Sequence, residues 1–329
     1  MIGDIETQKI MEENEEYGSS ISSVPSAEDN IDDMGPEDWE ECFCGPNDAD
    51  IEDMEDMEEE LDEDDLSDDS DDITETAITM HKTIVVLAKS YKCGGWCIAG
   101  KEVKKLANGK YNPTNTWIRP VSNNKENHGA LTDSDCKLIN GGIIDVLDLV
   151  EIPFESSLPE AGQPENWLVT PDMPWNRETK IDAMFLERLL DKPDDLWVDP
   201  TCKDDEVSIQ FEEAGLLRSS LYLIQPTDLK IHLSYLFDAY ANKEKKEARA
   251  SFRYNSKVYT GISITDPKIR KMLKNKFPVE LNTTVELTLN HGDDYWLCIS
   301  LGPRFGLRNS HFKLIASIID KTGYIQRTY

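Results

Sequence analysis

The hydrophobic positions of this chain fall mainly in short β-branched and aliphatic runs punctuated by Gly, Asn and Pro. Residues 82–122 show the pattern most fully. An apolar run at 83–88 is followed by a basic, Gly-containing turn at 89–95, then by extended runs at 95–103 and 115–121. The turn signal Asn140-Gly141-Gly142 precedes an alternating stretch at 143–152, which predicts a fourth strand. Residues 154–174 are rich in Pro, yet Trp167, Leu168 and Val169 make them too apolar for a free linker, so they are expected to pack across the strands. Ile181, Met184, Phe185 and Leu189 lie at helical spacing and predict a helix over 180–191, stopped at Lys192-Pro193.

A second series follows, with an extended piece at 196–200 and strands predicted at 221–224, 229–237, 247–254, 257–265, 283–290, 294–302 and 311–319. Residues 204–215 carry no clear period. Asn255-Ser256 reads as a hairpin turn. Asp266 and Pro267 mark a helix start, and the basic residues of 268–276 suit the C-terminal end of that helix. Three strands, a helix and further strands form the Greek-key order of an OB barrel. The expected fold class is mainly β: two tandem OB-like barrels with a few helices, at 82–200 and 201–329, after an N-terminal segment of residues 1–80.

Charge separates that segment from the rest. The chain has 329 residues and a formal net charge of −31. Residues 1–80 hold 32 Asp and Glu against one basic residue, Lys9, whereas residues 81–329 hold 33 of each sign. Like charges at this density repel one another and bury too little apolar surface to order the backbone, so 1–80 is expected to be a disordered acidic arm. It reads either as a solubilising tail or as a polyanion that imitates nucleic acid and covers a basic groove, its own or another protein's. The neutral remainder argues against a strong nonspecific DNA binder and fits a small or specific ligand better.

Seven scattered Cys, a polar N-terminus and no apolar run of transmembrane length predict reduced thiols and a cytoplasmic protein without membrane contact. Cys93 and Cys97 alone make a weak metal signal, since structural zinc takes four ligands, and no cofactor or metal is expected. The five His show no metalloprotease spacing. Nucleophile-elbow and nucleotide-loop motifs are absent from the sequence, so an enzyme is disfavoured. His291-Gly292-Asp293-Asp294 reads as turn chemistry.

Basic and aromatic residues interleaved on strands carry the stronger signal, because OB barrels pair cations with phosphates and rings with bases. The candidates are Lys89, Lys92, Trp96, Lys101, Trp117 and Arg119 in the first unit. In the second they are Arg253, Tyr254, Lys257, Tyr259, Arg304 and Arg308. Trp117 taken alone reads more readily as a core residue, and Arg119 as either a ligand contact or a buried ion pair.

The segments KTIVVLAKS, WCIAGK, TWIRPVS, QPENW, ITDP, LCISLGPRFG and HFKLIASII, in that order, resemble the bacterial dual OB-fold domain over about residues 82–320. The resemblance implies two tandem OB barrels, recognition of single-stranded nucleic acid or a nucleotide-like ligand, and a setting in prokaryotic conflict and defence. It implies no catalytic site and does not reach the acidic arm, for which a basic protein partner is the expectation drawn from charge.

Overall fold

Both faces of the first apolar run are buried, and this decides the architecture. In the computed structural model, which describes residues 79–329 apart from 93, 125–126, 240–241, 290–293 and 306–308, strand β1 spans Met80–Lys92. Ile84 and Val86 point into one core, with Ile98, Ile118, Ile152 and Trp175. Val85 and Leu87 point into another, with Trp117, Leu223 and Trp296. A strand buried on both sides reads as an unbroken hydrophobic run rather than an alternating one.

β1 is followed by β2 (Gly95–Lys105), β3 (Tyr111–Val121), β4 (Asp148–Ser157), β5 (Asn166–Val169) and β6 (Asn176–Lys180). The sheet runs β1-β2-β3-β5-β4-β6, and the additional β1–β4 pairing closes five of these strands into a barrel. β3 and β5 are parallel and the other pairs antiparallel. Closure needs one strand to serve two partners. β1 pairs with β4 through Met80–Val85 and with β2 through Ile84–Lys92, and its register shifts between Val86 and Ala88. The Leu87 carbonyl freed there accepts from the Ser317 hydroxyl of the second sheet. Opposite the bend, a Cβ on Gly100 would collide with the Val85 carbonyl, so this crossing requires glycine.

The second sheet repeats the plan. Its strands are β7 (Glu206–Val207), β8 (Leu221–Ile224), β9 (Thr227–Asp238), β10 (Lys243–Tyr254), β11 (Lys257–Ile264), β12 (Thr283–Leu287), β13 (Tyr295–Leu301) and β14 (His311–Asp320). They run β12-β9-β10-β11-β14-β13-β8, with β7 on β14. Only Gln225-Pro226 separates β8 from β9, and β8 pairs with β13 while β9 pairs with β10. Together they do what β1 does alone, with proline at the break where a ladder N–H is not needed. β11 and β14 are parallel, as β3 and β5 are. Helices α1 (Ile209–Glu213), α2 (Pro267–Leu273) and α3 (Tyr324–Thr328) complete the chain.

Between the two barrel cores lies a third apolar layer. Val85, Leu87, Ala99 and Trp117 of the first sheet meet Leu221, Leu223, Trp296, Cys298 and Ala316 of the second. The alternation of β13 explains its place: Leu297 and Ile299 fill the second barrel, while Trp296 and Cys298 face the first.

The mainly β class, the Asn255-Ser256 turn and the Asp266 cap with Pro267 all stand as the sequence predicts. Three local expectations are corrected. Residues 143–147 are not strand, because Leu147 takes φ +73° and Asp148 N–H closes a turn on the Asp145 carbonyl. The expected helix 180–191 is a 3-10 helix over Ala183–Arg188. Its buried residues Ala183 and Leu186, with the buried Leu189 that caps it, recur every third position, the period of a 3-10 helix, while Met184 is exposed. Residues 154–174 contain β5, which closes the barrel. No helix among the described residues is long and apolar enough to cross a membrane. The acidic arm through residue 78, Cys93, Arg308 and His291 lie outside the described residues.

Candidate binding cleft between the barrels

A cleft open to solvent lies where the first barrel meets the second. Ile98 and Ala99 of β2 and Arg119 of β3 form its first wall, and Ser90 and Tyr91 lie at the end of β1. Gln163, in the β4–β5 connection, borders it. The opposite wall is Ser300 and Leu301 of β13 with Gly302-Pro303, backed by Leu314 and Ala316 of β14. The β2–β3 face and the connections at its rim are where OB folds hold oligonucleotides. Here the second barrel stands against that face, so the groove has two walls.

Arg119 is placed by β3, whose pairing with β5 sets it beside Asn166. Its Nη2 donates to Ser220 Oγ at 3.0 Å and Ser300 Oγ at 3.2 Å. Ser220 Oγ in turn donates to Glu165 Oε2 at 2.8 Å, and Glu165 Oε1 accepts from Ser220 N–H and Ser219 Oγ, both at 2.7 Å. The Gln163 turn is held by packing. Gly162 (φ +75°) lies on the buried His311 ring so closely that a Cβ would overlap it. His311 Nδ1 lies 2.8 Å from the Gly302 carbonyl and Nε2 2.9 Å from Glu212 Oε2.

The residues expected to bind ligand scatter. Among those described, only Arg119 lines the cleft. Lys89 sits with its Nζ 4.1 Å above the Trp96 ring, away from the cleft, and burial lowers its pKa against the pull of Asp145. Trp96 donates from Nε1 to Asp133 at 2.7 Å, and its ring meets that of Tyr91 edge-on. Lys101 is fully buried rather than on a binding face. Its Nζ donates to Asp191 Oδ1 and the Leu189 carbonyl, both at 2.6 Å. Burial pushes this ammonium down, and Asp191 opposes the shift. Asp191 Oδ2 takes the Trp117 Nε1 proton at 3.0 Å and Leu223 N–H at 2.8 Å, which ties Trp117 into the layer between the barrels.

In the second barrel, Tyr259 is fully buried and accepts Leu196 N–H, and Tyr254 donates to the Pro193 carbonyl. Arg253 is exposed beside Asp228 at 3.2 Å, and Lys257 lies over the Tyr259 ring. Arg304 is exposed and pairs with Glu212 at 2.8 Å. Lys92 is in β1. Tyr254 and Tyr259 therefore present no ring face outward, because the inward side of a strand that packs a barrel also selects aromatic residues.

Gln163 and Ser300 were not among the expected site residues. Both lie in segments that carry the family resemblance, QPENW and CISLGP, and the cleft gathers WCIAGK, WIRP and ITDP as well, the last through Thr265. Among the described residues, no three His, Cys, Asp or Glu side chains are grouped to hold a metal ion. Cys97 lines the cleft, while the buried Cys136 thiol is pushed up to about 12 by desolvation.

No curated protein and no solved structure matches the chain. The family model of the dual OB-containing domain matches residues 82–318. That match covers most of the chain and both barrels, and the chain belongs to the dual OB-containing domain family.

Proposed function

We propose that this chain is a binding module that holds a nucleotide-like ligand, free or as part of a single strand, in the cleft between its barrels. One observation carries the reading. Five segments distant in sequence, 95–101, 117–120, 163–167, 264–267 and 298–303, contribute residues to one apolar-walled cleft on the β2–β3 face of the first barrel. A mostly apolar cleft with a few convergent polar groups is the setting in which proteins hold small ligands. Fluorescence-anisotropy titration of labelled single-stranded DNA and RNA, with mononucleotides as competitors, tests the proposal. Binding by the full chain that Gln163→Trp abolishes is the expected result. Binding that survives this substitution moves the ligand elsewhere.

A second reading rests on the charge separation, since residues 1–80 carry the whole net charge. In it the arm is the active element and occupies a basic protein partner in place of nucleic acid. Removing residues 1–79 separates the two. Tighter oligonucleotide binding with altered salt dependence supports the first reading, with the arm competing for the cleft. A truncated chain that binds no oligonucleotide supports the second.

A further inference from the structure

The cleft holds a cation for which the protein supplies no carboxylate. Arg119 is 7% exposed. Among the described residues its side-chain partners are the two neutral hydroxyls of Ser220 and Ser300, both on Nη2, and its other N–H groups donate to no protein acceptor. Glu165 stands behind Ser220 and is engaged there and at Ser219. It orients the hydroxyl that orients the guanidinium, without pairing with it directly. The guanidinium N–H groups without a protein acceptor lie at the lining of the cleft, and their planar fork matches an oxyanion in two-point contact.

The neighbouring cations limit how many anionic groups fit. Lys89 is turned onto Trp96 and Lys101 is bound to Asp191, so neither lines the cleft. The interior of a nucleic acid strand presents a phosphate at every nucleotide and is tracked by a row of cations. Among its described lining residues the cleft offers one, Arg119, between apolar walls.

We propose that the cleft recognises a single terminal phosphate monoester on a nucleoside, whether a free mononucleotide or the phosphorylated end of a strand. Arg119 takes the phosphate and the Ser300 hydroxyl flanks it. The apolar walls of β2 and β14 cover the nucleoside. The inference rests on the reading of the cleft as a nucleotide seat and adds which part of the nucleotide is read.

The experiment is isothermal titration of the full-length protein with the four nucleoside 5′-monophosphates, the four nucleosides, and DNA and RNA trinucleotides with and without a 5′-phosphate. The expected result is binding about tenfold tighter, or more, for the phosphorylated member of each pair. For the 5′-phosphorylated trinucleotide, log K against log salt should fall with a slope of about −0.7, the value for one phosphate contact on a single strand. Arg119→Lys keeps the charge but loses the fork, and should weaken binding about tenfold. Ser300→Ala should weaken it several-fold with the melting temperature unchanged, which keeps the test valid if Arg119 variants unfold. Mononucleotide binding without a phosphorylated-trinucleotide response assigns a free ligand; the reverse assigns a strand end. Equal affinity with and without the phosphate, or a slope of two or more contacts, overturns the inference and leaves the nucleotide seat intact. Failure of every probe to bind overturns both.

Discussion

The outer faces of the two barrels use the same residue types to opposite effect. On the second barrel, the cations of β9 and β10 meet carboxylates at the surface: Lys230 with Glu286, Arg249 with Glu247 and Asp205, and Arg253 with Asp228. His232 and Ser234 find hydroxyls on the neighbouring strands. On the first barrel, Lys101 and Arg119 are both buried, one strand apart. Lys101 is paired with Asp191, whereas Arg119 meets serines. A cation on a strand therefore says little about binding. What matters is whether the fold has placed a carboxylate beside it.

The largest effect expected from breaking this contrast is at Asp191. Asp191→Ala strands the buried Lys101 ammonium and releases Trp117 and Leu223 N–H, and should cost about 3–5 kcal/mol by chemical denaturation. The double variant Lys101→Met/Asp191→Ala should recover much of that loss, which would show that the charge, not the packing, was responsible.

Asp266 is the second barrel's own closed charge. It accepts Lys268 and Ile269 N–H at the start of α2 and Ile318 N–H of β14, and burial raises its pKa to about 6. Its folded pKa lies above the unfolded value of about 3.9, so the folded state binds the proton more tightly. The stability this lends is present below about pH 4 and lost as pH rises to about 6. Relative to Asp266→Asn, the wild type should lose up to about 3 kcal/mol across that window in parallel urea melts. A constant difference would show that the three backbone donors offset the burial.

Arg119→Gln should cost about 1–3 kcal/mol, less than Asp191→Ala, because it leaves two neutral hydroxyls short of a partner rather than a buried charge. A loss as large as that at Asp191 would make Arg119 a structural tie of the same kind as Lys101. Smallest of all is Arg253→Ala. Its pairing with Asp228 is exposed, so stability should change by less than about 1 kcal/mol and ligand binding should be unaffected.

Much of the architecture was legible because strand signals are local. The β-branched runs, Asn255-Ser256 and Asp266-Pro267 each act within a few residues. β5 and β6 were not legible. Asn166–Val169 is only four residues long, and it is strand because β3 and β4 lie on either side of it. The 3-10 helix was misread because Met184 suits a helical stripe in sequence, while the layer between the barrels buries Ala183, Leu186 and Leu189 and leaves Met184 exposed. At the cleft, Arg119 was visible as a cation in a strand, but its partners, Ser220 and Ser300, lie 101 and 181 residues away.

The sequence alone determined the strand runs, the turn and cap chemistry, the charge division at about residue 80 and the family. These follow from composition and spacing, which operate over short stretches of chain. The tertiary structure decided which charges are used up within the fold and which are left open. Lys101 and Arg119 look alike in sequence and differ only in what the folded chain brings within 4 Å of each, because a buried charge is satisfied by its neighbours in space.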